Sequence, residues 1–387
     1  MARSLKGRLE ALALVVLSMV LAILLAEAGL RLALNSADFL HATMIDDPVL
    51  GHRIKPLTTG HDALGFRNRD VPEQASVVAI GDSFTYGVSA PRDGSWPHQL
   101  SGLLDESVYN MGLGGFGPLQ YLHLAQVTAK PLKARVWVVA IYFGNDLMDG
   151  YYVAHGTPHW KDWRLSVRPS GTLTEFDKAG MAEPSKRFAG LRNWLSRHSM
   201  VYSVLRATVF QRLAAREREQ MVRQSAPDVQ WAWSDPARAD VRTVFTPQGR
   251  LAALDLEIAS VQEGLQITQR ALAAIQAEAD KQGVKLLVLL IPTKERAYCA
   301  HLTQAGTPLP ASHLRLCGAE DRAKAELMRS LFSHNTHYVD TTAALEEKIA
   351  QHVPLYPADS DGHFQATGYG VVAQVVADAI RRITPKP

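Results

Sequence analysis

The stretch that decides the fold is Ser76-Val77-Val78-Ala79-Ile80-Gly81-Asp82-Ser83, which runs on into Phe84-Thr85-Tyr86-Gly87. The apolar, mostly β-branched run reads as a strand, and Gly-Asp-Ser reads as a sharp turn at its end. Comparable runs recur downstream, each followed by a helical pattern: VYNMGL at 108–113, ARVWVVAIYF at 134–143, VKLLVLLIPT at 284–293 and the shorter THYVDTT at 336–342. The runs at 134–143 and 284–293 are apolar throughout, as strands buried on both faces must be. Such strands alternating with helices predict an α/β fold: a three-layer α/β/α sandwich around a parallel five-stranded sheet.

The helices support this. Leu254, Ile258, Val261, Leu265, Leu272, Ile275 and Ala279 recur at helical steps with only Thr268 breaking the stripe, and Gly283 stands where a C-terminal glycine belongs. A last helix is predicted from Thr367 to about Ile383, with Val371, Val375 and Ala379 turned to the sheet. Between about 147 and 250 the alternation stops. This insertion carries Trp160, Trp163, Trp194, Trp231 and Trp233, an amphipathic stretch near 186–223, and a strand-like Val229–Trp233. Its tryptophans suit the packing of a lid or subdomain better than a sugar-stacking platform. The domain reading is therefore an N-terminal helix at 1–34, a connector at 35–75 and one domain at 76–385 containing the insertion.

The N-terminal segment ALALVVLSMVLAILLA (11–26) carries no charge and follows Arg3, Lys6 and Arg8. As a helix it is roughly 24 Å long. Glu27-Ala-Gly-Leu-Arg31-Leu-Ala-Leu can extend it, with Glu27 and Arg31 one turn apart at the interface. A single-pass anchor in the inner membrane is expected, with the basic end in the cytoplasm and the body on the periplasmic side. The alternative is a signal peptide cleaved near Ala26-Glu27-Ala28. Both readings export the body of the chain.

Composition excludes other classes. With 41 basic and 38 acidic residues the net charge is +3, and no basic cluster stands out, so no nucleic-acid partner is expected. Cys299 and Cys317 sit in one loop-like stretch, open to bridging or to remaining two thiols. His155 and His159 have a metal-compatible spacing without a third evident ligand, and no metal is expected. Gly112, Gly114 and Gly117 spell G-x-G-x-x-G, but no acid follows where a ribose would need one, so no nucleotide cofactor is expected either.

Four segments carry chemistry. Ser83 lies on a strand-end turn that exposes its hydroxyl and places backbone N–H groups beside it. Thr85 stands where the usual G-x-S-x-G elbow requires glycine. The glycines of Asn110–Gly117 let bare backbone approach a ligand. Asn145, in Gly144-Asn145-Asp146 at the next strand end, offers a side-chain amide to developing negative charge. His363 follows Asp359 and Asp361 in a turn before the last helix, as a general base with a nearby acid would. In a parallel sheet the C-terminal strand ends share one edge, where ligands bind.

In this order the segments resemble the SGNH/GDSL esterase and lipase superfamily, with its flavodoxin-like fold. The resemblance covers most of residues 60–385. It implies Ser83 as nucleophile, His363 as base, and Gly115 as oxyanion glycine, with Gly112 and Gly114 as alternatives by register. It further implies Asn145 as oxyanion amide, together with the Ser83 N–H. Phe143 replaces a glycine usual two positions before that asparagine, and Ser360 stands where the family acid commonly sits. Asp361 is the acid chosen here, with Asp359 as fallback. Asp62-Ala-Leu-Gly-Phe-Arg67, Gln120 and Ile291-Pro-Thr-Lys294-Glu295 are similar to features of membrane-anchored bacterial members, and Lys294 with Glu295 reads as a structural pair. The activity implied is hydrolysis of a small-molecule, envelope-glycan (O-acetyl) or lipid ester through an acyl-enzyme. O-acyl transfer at the same site and a silent role in envelope polysaccharide assembly are the alternatives.

Overall fold

The computed structural model describes residues 2–165, 189–210 and 219–384. The N-terminal run forms one helix, Ala2–Ala33. Its segment Gly7–Ala33 is long and apolar enough to cross a membrane, and among the described residues none covers its most apolar window.

A short antiparallel hairpin, β1 (Met44–Asp47) and β2 (Gly51–Ile54), precedes the sheet. Then come β3 (Val77–Gly81), β4 (Val108–Gly112) and β5 (Val136–Tyr142). The insertion contributes a second antiparallel hairpin, β6 (Trp231–Ser234) with β7 (Arg242–Phe245), before β8 (Lys285–Ile291) and β9 (His337–Asp340). The five parallel strands lie in the order β4-β3-β5-β8-β9. The first of them to form in the chain sits second from the edge, which is the doubly wound arrangement.

Alternation along each strand builds the two outer layers. Val78 and Ile80 of β3 and Trp137, Val139 and Ile141 of β5 face helices Pro118–His123, Ala259–Gln282 and Ala311–Ser333. Val77, Ala79, Val136, Val138, Ala140 and Tyr142 face the opposite layer, with helices Trp96–Leu104, Lys294–Gln304, Thr342–Ala350 and Ala366–Ile383. Each fully buried aliphatic side chain contributes roughly 1.5–3 kcal/mol. This is why continuous apolar strands settle in the middle of the sandwich.

Several details differ from the sequence reading. The helix before β8 starts at Ala259, so Leu254 and Ile258 precede it. Thr268 does not break its stripe, because the buried hydroxyl donates to Gly264 O at 2.8 Å within the same helix. On the last helix the buried stripe is Tyr369, Val372, Ala373, Val376 and Ile380, while Val371 and Val375 are only half-buried. Steps of four alone drift around a helix with 3.6 residues per turn; the true stripe alternates threes and fours. Cys299 and Cys317 lie on two helices rather than in a loop, and they form a disulfide with Cα atoms 6.6 Å apart.

Residues 35–75 are packed into the domain. Leu50, Ile54 and Phe66 join the core, and the buried Arg67 pairs with Asp38 at 2.8 Å and donates to Gly87 O at 2.8 Å. Within the insertion, helices Ala189–His198 and Met200–Leu205 are described, whereas 186–188 and 211–218 of the expected amphipathic stretch lie outside the described residues. Trp160 and Trp233 are buried, Trp163 and Trp231 partly so, and Trp194 is exposed. The tryptophans are spread through packing contacts and do not share one surface.

Candidate active site

Because β3, β4 and β5 run parallel, Ser83, the glycine turn after Gly112 and Asn145 all emerge at one edge of the sheet. Ser83 opens a single helical turn, Ser83–Tyr86. Asp82 caps it by accepting from Phe84 N at 2.9 Å, and Gly87 closes it in the left-handed region at φ 86°. That turn sits hard against β4: a Cβ on Gly112 would lie 2.1 Å from Tyr86 N. Glycine at 112 is therefore required by packing.

The last helix is preceded by a tight acid turn. Asp361 N donates to the Asp359 carboxylate at 3.0 Å, and His363 N donates to Asp361 Oδ1 at 3.0 Å. The His363 ring reaches back across the sheet edge, with Nε2 2.8 Å from Ser83 Oγ and Nδ1 2.6 Å from Asp361 Oδ1. With the proton on Nδ1, the imidazole donates to Asp361 and accepts from the Ser83 hydroxyl. Phe84 packs against the same ring at 4.8 Å between centroids. Burial works to raise the Asp361 pKa. The hydrogen bond and charge of His363, the Ser89 hydroxyl and the His363 N–H outweigh it, and the carboxylate is held well below its ordinary range. Asp359 meets the turn's backbone, not the imidazole.

The glycine turn divides by role. A Cβ on Gly114 would stand 3.7 Å from Ser83 Cβ, so this part of the turn flanks the hydroxyl. The Gly114 carbonyl accepts from His52 Nε2 at 3.0 Å. In a trans peptide the N–H of Gly115 points opposite to that carbonyl, away from His52. Asn145 donates through Nδ2 to Asp149 and hydrogen-bonds Asp82, two carboxylates beneath the site. Desolvation raises the pKa of the fully buried Asp82 and, with the charges of Asp82 and Asp149 adding to it, that of Asp146. Asp146 is satisfied by Tyr121 Oη at 2.9 Å and Tyr142 N at 2.9 Å.

Lys294 ties down the acid turn, whereas the Glu295 carboxylate accepts from Thr246 N at 2.7 Å. The buried Lys294 ammonium donates to Asp359 O at 3.1 Å and Asp361 O at 2.8 Å, pinning the acid turn from below. Desolvation lowers its pKa to about 8. Arg250 lies over the Tyr142 ring and against Gly362, bridging the acid turn and the Asn145 turn. Sequence reasoning missed His52, Ser89 and Arg250. None stands at the end of a parallel strand, so none carried a positional signal; Lys294, just past β8, did.

The two candidate metal histidines are not brought together. His155 Nε2 contacts Glu263 at 2.9 Å, and the His159 ring packs against Trp160. Asp235, His301 and His352 each bring one ligand-type atom within 4.8 Å of the others, but His352 Nδ1 is already 2.6 Å from the Asp235 carboxylate.

Residues 252–387, which include the acid turn and His363, match the family model described as "SGNH hydrolase-like domain, acetyltransferase AlgX". That stretch is SGNH hydrolase-like. Among solved structures similar to this chain is a lipolytic protein of the G-D-S-L family from Desulfitobacterium hafniense DCB-2, at 13% identity, with 78% of this chain and 98% of that one covered and a TM-score of 0.35. Another is Axe2, an acetylxylan esterase from Geobacillus stearothermophilus, at 11% identity, 79% and 94% coverage and a TM-score of 0.37. A third is LAE5, an alpha/beta hydrolase enzyme from the metagenome of Lake Arreo, at 12% identity, 81% and 98% coverage and a TM-score of 0.40. No curated protein matches the chain.

Proposed function

We propose that the protein is a serine ester hydrolase working through an acyl-enzyme on Ser83. The observation that carries this reading is the 2.8 Å contact between Ser83 Oγ and His363 Nε2, backed by the 2.6 Å contact of His363 Nδ1 with Asp361. His363 takes the hydroxyl proton as Ser83 attacks an ester carbonyl, and Asp361 stabilises the imidazolium that forms. The N–H groups of Ser83 and Gly115 hold the tetrahedral oxyanion, and the Asn145 amide joins them by turning from its contact with Asp149. Losing one such donor typically costs about 3 kcal/mol in the barrier. His363 then returns its proton to the departing alcohol, and water, deprotonated by the same imidazole, releases the acid.

A second reading has its own support. The family description over residues 252–387 names an acetyltransferase. If an acceptor hydroxyl, for instance of an envelope glycan, replaces water in the second half, the same residues perform O-acyl transfer. The first helix serves in this proposal as an inner-membrane anchor with the catalytic domain outside the cytoplasm. The Cys299–Cys317 disulfide suits an oxidising compartment.

The test is fluorophosphonate labelling of the full chain, expected at Ser83 and lost in Ser83→Ala. Release of acetate from p-nitrophenyl acetate with and without a glycan acceptor then separates hydrolysis from transfer. An unlabelled wild-type protein, or equal labelling of Ser83→Ala, defeats both readings and leaves a silent binding role.

A further inference from the structure

The first helix and the insertion are locked together at one depth. Glu27 accepts from Met200 N at 2.9 Å, Val201 N at 3.1 Å and Ser199 Oγ at 3.1 Å, while Arg31 donates to His198 O at 2.6 Å. These contacts seat residues 198–201 beside the last turns of the membrane-length helix. A hydrocarbon core about 30 Å thick takes about 20 helical residues. The stretch between Glu10 and Arg31 matches that length, so Glu27 lies within a turn or so of the exit. A carboxylate at that depth needs partners, and the insertion supplies them. Residues 189–210 are therefore held where the acyl chains give way to headgroups.

Their composition suits that place. No acidic residue occurs from 189 to 210, whereas Arg192, Arg197 and Arg206 do. Leu191 is 55%, Trp194 56%, Leu205 45% and Val209 45% exposed. The inward side is small or polar: Ser196 and Ser203 are buried along with Met200. A segment that turns leucine and tryptophan outward among arginines fits a membrane interface better than water.

We propose that residues 189–210 form a membrane-surface element, lying in the headgroup boundary of an anionic phospholipid bilayer crossed by the first helix. Leu191, Trp194, Leu205 and Val209 reach the acyl boundary, and the arginines meet lipid phosphates. This rests on the reading of the first helix as an uncleaved anchor, and it assigns the insertion a role that the active-site geometry does not.

Since Cys299 and Cys317 are bonded to each other, one introduced cysteine is the only thiol in the folded chain. Full-length Trp194→Cys and Leu205→Cys, labelled with an environment-sensitive fluorophore, are placed in phosphatidylcholine/phosphatidylglycerol nanodiscs containing nitroxide lipids. Val20→Cys is the transmembrane reference and Lys281→Cys the aqueous one. Labels at 194 and 205 are expected to be quenched by shallow nitroxides more than by deep ones, with Lys281→Cys unquenched. Unquenched labels at 194 and 205 beside a deeply quenched Val20→Cys overturn the proposal while leaving the anchor intact. An unquenched Val20→Cys overturns the anchor reading and this proposal with it. Shielding at 194 without nitroxide quenching, present only in discs holding two copies, overturns it in favour of self-association.

Discussion

Replacing Asp361 by asparagine tests the proposed division of labour most sharply. The carboxylate stands 2.6 Å from His363 Nδ1, and the two side chains are 29% and 23% exposed. When His363 takes the Ser83 proton, an imidazolium forms with its charge about 4 Å from the carboxylate. At an effective dielectric of about 20 the attraction is about 4 kcal/mol. Partial exposure cuts this to about 2–3 kcal/mol, or roughly 30- to 150-fold in rate. Asparagine does further harm. Its amide NH2 can donate to Nδ1, which moves the ring proton to Nε2 and leaves no acceptor for the Ser83 hydroxyl. The combined loss expected in kcat/KM is about 10³- to 10⁴-fold. Asp361→Ala loses the charge without imposing the wrong tautomer and should fall less. Asp359→Asn, at a carboxylate that accepts from Asp361 N, should stay within about tenfold of wild type, as suits a positioning group. The assay is p-nitrophenyl acetate hydrolysis together with the rate of fluorophosphonate labelling at Ser83. If Asp359→Asn is as damaging as Asp361→Asn, or Asp361→Asn keeps near-normal labelling, the assignment is refuted.

Four further outcomes are expected. Asn145→Ala should lower kcat by about 10²–10³ with KM little changed, since the amide serves developing charge; an effect on KM alone contradicts this. His52→Ala releases the Gly114 carbonyl and should lower kcat roughly three- to tenfold, on the scale of one lost hydrogen bond, with His52→Gln partly restoring it. Burial lowers the Lys294 pKa from 10.5 to about 8, so between those pH values the unfolded chain binds the extra proton and the folded one does not. Stability of wild type relative to Lys294→Met should therefore rise as pH increases from about 8, read by denaturant melts at several pH values; a flat difference rejects a buried, perturbed lysine. Reducing Cys299–Cys317, which closes a short loop, should cost about 3 kcal/mol and lower Tm without changing kcat at low temperature.

Some of this protein was decided locally. The five parallel strands and their helices were legible because double burial demands unbroken apolar runs, and a break at Gly81-Asp82-Ser83 or Gly144-Asn145 is visible one residue at a time. Ser83 and Asn145 could be picked out because strand ends in a parallel sheet must share an edge. The membrane-length helix could be read for the same reason, as an uninterrupted run of apolar residues.

Other features exist only once the chain is folded. The choice of Asp361 over Asp359 as partner of His363 depends on the path of one tight turn, and that turn is held by Lys294 from a helix some 65 positions away. His52 meets Gly114 across 62 positions, and Glu27 meets Met200 across 173. Local sequence preference encodes the backbone conformations of neighbours, whereas a hydrogen bond between distant segments is set by how the layers stack. The amino-acid order thus determined the sheet, its helices and the edge where chemistry can occur. Only tertiary packing decided which side chains converge there, because convergence depends on distances that no local pattern records.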